Sequence, residues 1–146
     1  MRLLLCLFAS SLLLAAPPPP LTMEAVRGEG DPLRRFDRAL QLAEARMKDA
    51  WKLVREGGSR SSLEAAIGDV AAASELALES LRATARRPGK LGRQYKRGEL
   101  RTREFDKGLQ ELSLAVGFDE RERIEQVRQR LAGIHEQFLH GVMTGR

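Results

Sequence analysis

Apolar residues recur along this chain in four successive registers that alternate spacings of three and four, each closed by Gly or Pro. The first joins Leu33, Phe36, Leu40, Ala43, Met47, Ala50 and Val54. Three full heptads of that spacing describe one face of an α-helix, predicted over 32–56. Asp31 before Pro32 supplies an N-cap followed by proline at the first helical position, and Gly57-Gly58 supplies the stop. Trp51 and Leu53 widen the same apolar face. Trp51 and Met47 read as core side chains rather than as the lining of a ligand slot.

A second register, Leu63, Ile67, Val70, Ser74, Ala77, Leu81 and Thr84, predicts a helix over 61–87. Ser61 with Glu64 reads as its capping box, and Pro88-Gly89 as its end. Eight alanines between Ala65 and Ala85 flank this seam. Small side chains permit close backbone approach, so this helix is expected to pack on two neighbours or on a second copy of the chain.

The third register runs Leu91, Tyr95, Gly98, Thr102, Phe105, Leu109, Leu112 and Val116, predicting a helix over 90–116. Gly98 and Gly108 each cost about 1 kcal/mol against Ala in a helix interior, and a kink is expected near Gly98. The fourth, Ile124, Val127, Leu131, Ile134, Phe138 and Gly141, predicts a helix over 119–142, with Asp119 and Glu122 as an acidic capping box.

Short connections force consecutive helices antiparallel. The expected fold is therefore all-α, an up-down-up-down four-helix bundle spanning 32–142. The narrow seams leave one alternative, long helical hairpins that complete the bundle by dimerisation.

Ahead of these helices, Met1-Arg2 and the apolar run Leu3–Ala16 read as an export signal over 1–16. The run is shorter than the roughly 20 apolar residues a spanning helix needs. Export would place the protein in the periplasm or outside the cell. The alternative is an uncleaved, membrane-tethering segment with Pro17–Pro20 as a stiff spacer. Residues 17–31, rich in Pro and Gly, read as a flexible leader. The single cysteine, Cys6, falls inside the signal segment, so the mature chain would hold no thiol for a disulfide or a metal.

The formal net charge is +5, and it is unevenly placed. Residues 86–103 carry Arg86, Arg87, Lys90, Arg93, Lys96, Arg97, Arg101 and Arg103 against one acid, Glu99. That concentration is a candidate anion-binding segment for lipid headgroups, an envelope polyanion or an acidic protein face. Tyr95 is the lone aromatic among them, poor support for base stacking, so nucleic acid is not the expected partner. The competing reading is a solvated stretch whose cations pair with acids on neighbouring helices.

No catalytic constellation, metal site or cofactor motif emerges. His135 and His140 stand five apart, whereas zinc-protease histidines stand four apart on one helix face. Gly28-Glu29-Gly30 is too short for a phosphate cradle. The sequence thus predicts a non-enzymatic, exported helical module for interaction or structure. A partner protein or an anionic envelope surface is the expected contact, with homodimerisation through the Ala-rich second helix as a further expectation.

Overall fold

In a computed structural model, which describes residues 21–145, the chain is all-helical. The export-segment expectation at 1–16, Cys6 included, lies outside the described residues, as do the first four leader positions. Five helices pack together: α1 (Met23–Arg27), α2 (Pro32–Glu56), α3 (Arg60–Ala83), α4 (Gly92–Leu114) and α5 (Phe118–Thr144). A 3-10 turn, Pro88–Leu91, precedes α4. No described helix is long and apolar enough to cross a membrane.

The local chemistry at the ends explains each boundary. Asp31 accepts from the Leu33 and Arg34 amides at 2.8 and 3.3 Å, and Pro32 opens α2. Gly57 closes it in the left-handed region, at φ 69°, where glycine carries no Cβ penalty. The cap of α3 is Ser59, not Ser61: its Oγ accepts from the Ser62 amide at 3.2 Å. Glu64, assigned to a capping box from the sequence, pairs instead with Arg60 at 3.0 Å. Likewise α5 is capped by Gly117, two residues ahead of the expected Asp119, which leaves Asp119 and Glu120 in the first turn. There their charge still favours the positive end of the helix.

Three further expectations are corrected. The second long helix does not reach Arg87. It ends at Ala83, where the Thr84 hydroxyl donates to the Leu81 carbonyl at 2.7 Å and Ala85 turns into the left-handed region at φ 54°. The leader is not wholly extended either, because α1 lies within it. Thr22 caps α1 at 3.1 Å, Val26 is fully buried, and the Glu29 carbonyl accepts from Arg35 at 3.1 Å. Finally, α4 runs unbroken through Gly98. Its missing side chain makes room for the Phe138 ring, which a Cβ there would strike.

Side-chain pairs define how the helices run. Arg35 meets Ser80 and Arg46 meets Asp69, so α2 and α3 form an antiparallel hairpin. Arg128 meets Asp106 and His135 meets Thr102, so α4 and α5 form another. Between the hairpins, Arg97 pairs with Asp37 and Arg101 with Glu44, laying α4 alongside α2 in the same direction. Arg60–Asp119, Arg130–Glu75 and Arg82–Gln137 do the same for α3 and α5.

The seam residues meet in one core. Phe36, Ile67, Leu81, Leu109, Leu112, Ile124, Leu131 and Phe138 are essentially inaccessible to solvent. In α3, Ala66, Ala71, Ala73 and Ala77 are buried within this same chain, which uses the small-residue face internally. Met47 is core and Trp51 packs against it half-buried.

Candidate functional site

The candidate anion-binding segment divides into two unlike halves. Lys96, Arg97, Arg101 and Arg103 face acids. Arg97 pairs with Asp37 and lies 4.9 Å over the centre of the Phe36 ring. Arg101 bridges to Glu44 at 3.4 Å and to Glu104 at 2.9 Å. Lys96 reaches Glu99 at 2.7 Å, and Arg103 holds the other oxygen of the same carboxylate. These four brace helices. Arg86, Arg87, Lys90 and Arg93 do the opposite: all four are exposed, and none has an acid within ion-pair distance among the described residues. They occupy the connection between α3 and α4 and the first turn of α4.

This connection is held in place from both sides. Leu91 is buried, at 1% exposure, and anchors the 3-10 turn to the core. Gly89 packs directly on the backbone of Gly145, at the end of α5, so tightly that a Cβ at either position would crowd the other. Thr84 receives the Arg86 amide at 3.2 Å. The four cations are therefore presented on an ordered loop at the end of the molecule where α3 and α5 finish and α2 and α4 begin.

The structure also assembles a polar cluster that the sequence reading left unassigned. Glu99 is fully buried on α4, one position beyond the seam residue Gly98. Burial pushes its carboxyl up, but hydrogen bonding from Lys96 and the charges of Arg103 and Lys96 outweigh that, holding it below the ordinary carboxylate range. Thr102 Oγ1 donates to the Gly98 carbonyl at 2.9 Å. The same Oγ1 lies within hydrogen-bond distance of His135 Nδ1, 3.0 Å away. His135 Nε2 then stands 4.0 Å from Glu99 Oε1.

A carboxylate, an imidazole and a hydroxyl in sequence superficially suit acyl transfer, but the hydroxyl does not. Thr102 is fully buried and bonded to the backbone of its own helix, so its hydroxyl does not face solvent. Beside it, an open groove of about 320 Å³ is lined by Arg103, Asp106, Glu125, Arg128 and His135. Its charges are spent on one another: Arg128 bridges Asp106 and Glu125, both at 2.9 Å, and that hydrogen bonding raises its own pKa. His140 lies apart from His135, exposed on α5. Among the described residues, no three His, Cys, Asp or Glu side chains converge to hold a metal.

At the far end of the molecule stands an apolar surface that no motif announced. Leu114 and Phe118 flank the α4–α5 turn and are 76% and 81% exposed. Next to them, a groove of about 350 Å³ runs between Leu53, Val54, Leu63 and Val116. The sequence signal was present in one respect: Leu114 and Phe118 are large apolar residues off the 3-4 seams. Comparison with models of known protein families, with curated proteins and with solved structures returns no match.

Proposed function

We propose that the four long helices form one up-down-up-down bundle, complete within a single chain, and that the protein is an exported, non-enzymatic interaction module. The directions of the two hairpins support the bundle, and the covering of each seam by helices of the same chain supports its completeness. Most described polar clusters act internally, as braces between or along helices. The observation that carries the interaction reading is the Leu114–Phe118 turn. Two large apolar side chains left in water, beside a groove that Leu53, Val54, Leu63 and Val116 line together with Arg60 and Glu120, mark a contact surface rather than a fold requirement.

The test is a pull-down from an envelope extract of the source cell, with the full chain as bait at low and high salt. A partner held through apolar contact stays bound at high salt and is lost, about tenfold or more, from Leu114→Ser/Phe118→Ser. Both sites are exposed, so helicity should be unchanged. If nothing is retained specifically, or if the double variant retains it equally, the reading fails.

A further inference from the structure

We infer that the exposed connection between α3 and α4 is a docking surface for an anionic lipid bilayer, contacted by Arg86, Arg87, Lys90 and Arg93. This rests on the interaction reading and names one of the module's partners. Its first support is the division within the basic segment. Cations meant only to balance acids would be paired, as Lys96, Arg97, Arg101 and Arg103 are. The other four cluster within eight residues, all exposed, with no such partner among the described residues.

Two features favour a bilayer over a nucleic acid or a soluble polyanion. Tyr95, the only aromatic within the segment, is 7% exposed and packed edge-on to Phe138, so no ring is free to stack on a base. The chain also enters the fold at this end: α1 packs on α2 and α3 beside the start of α2. Residues 1–20, with their apolar run Leu3–Ala16, thus join the molecule on the same side as the cations.

The experiment is vesicle co-sedimentation of the full chain, using phosphatidylcholine alone and phosphatidylcholine mixed with phosphatidylglycerol, whose negative charge attracts nearby Lys and Arg. Each Lys or Arg near such a leaflet is worth about a fivefold gain in affinity. Neutralising all four, as Arg86→Gln/Arg87→Gln/Lys90→Gln/Arg93→Gln, should therefore weaken binding by at least about 100-fold, with helical circular dichroism unchanged. Added salt should weaken the unaltered chain steeply. A control with the same net charge, Lys48→Gln/Lys52→Gln/Arg55→Gln/Lys107→Gln, should bind almost as the parent does. Equal loss in the control would show a general charge effect and overturn the surface. Equal binding to both vesicle types, or binding to dextran sulfate without binding to vesicles, would overturn the bilayer as partner. Because the Leu114–Phe118 pull-down reads the opposite end, the failure of either claim is separable from the failure of the other.

Discussion

The two hairpins solve the same packing problem with different materials. Between α2 and α3, the helices approach on small and aliphatic residues: Ala39, Ala43 and Ala50 on one side, Ala66, Val70, Ala73 and Ala77 on the other, all buried. The fully buried polar groups there are Ser74 and Ser80. Each returns its proton to its own helix, at 2.8 and 2.6 Å. Between α4 and α5, bulk meets absence. Phe138 of α5 fills the space over Gly98 of α4, and Tyr95 of α4 fills the space over Gly141 of α5. Tyr95 and Phe36 both meet the Phe138 ring edge-on, with centroids 6.3 and 6.5 Å away, so this reciprocal fit also ties the second hairpin to the first. An alanine interface spreads its energy over many small contacts, whereas a ring seated over a glycine concentrates it in one.

That difference predicts where single substitutions hurt most. Phe138→Ala should cost about 3–5 kcal/mol, the range for emptying a buried aromatic site. Gly98→Ala should lose about 1–3 kcal/mol through overpacking against the ring, set against the roughly 1 kcal/mol that alanine gains in a helix interior, and Phe138→Leu should recover part of the packing loss. In α3, by contrast, Ile67→Val should cost only about 0.5–1.5 kcal/mol. Urea unfolding of the four variants decides the matter. If Gly98→Ala stabilises by the full propensity gain, or Phe138→Leu worsens it additively, the ring and the glycine are not coupled as described.

The polar centre of the second hairpin sharpens the contrast at a smaller energy. Glu99→Gln should destabilise by about 1–3 kcal/mol at neutral pH, the usual cost of weakening a buried charge-assisted hydrogen bond. The sign of its pH dependence follows from the lowered carboxyl pKa. The ionised form is favoured in the folded state, so its contribution is complete above the unfolded value of 4.5 and is lost as pH falls through the lower folded value. The stability gap between parent and Glu99→Gln should accordingly close below pH 4.5. A gap as wide at pH 3 as at pH 7 would show that packing, not charge, is responsible.

Much of the core was legible because the 3-4 spacing is itself the geometry of a buried helix face. Phe36, Leu40, Ala43, Met47 and Ala50 are buried where the first register put them, and Ile124, Leu131, Ile134 and Phe138 where the fourth did. Positions buried by a second neighbour were less visible. Ala39 and Leu42 lie off the register, yet the flank of α2 is covered as well. Gly98 read as a weakness, because a local propensity scale cannot know that a ring from 40 residues away occupies the gap. Glu99 read only as the one acid of the basic segment, because charge is normally excluded from a core and its two cations lie on its own helix. For the basic segment, spacing alone could not separate Arg97, which Asp37 of α2 neutralises, from Arg93, which no described acid does. That distinction is tertiary.

The smallest expected effect concerns the joint between the hairpins. Ala85 adopts φ 54°, a left-handed conformation that costs an L-residue with a Cβ about 1–2 kcal/mol. Glycine removes that cost but gives back about 0.4–1 kcal/mol through the greater freedom of its unfolded chain. Ala85→Gly should therefore leave a net gain of about 0.5–1 kcal/mol, a rise in Tm of about 2–4 °C for a domain of this size. The side chain is exposed, so no packing is lost. Calorimetry at matched pH and salt measures the shift. A fall in Tm would mean that Ala85 is unstrained and that the joint, like the alanine interface beside it, owes its shape to ordinary backbone preference.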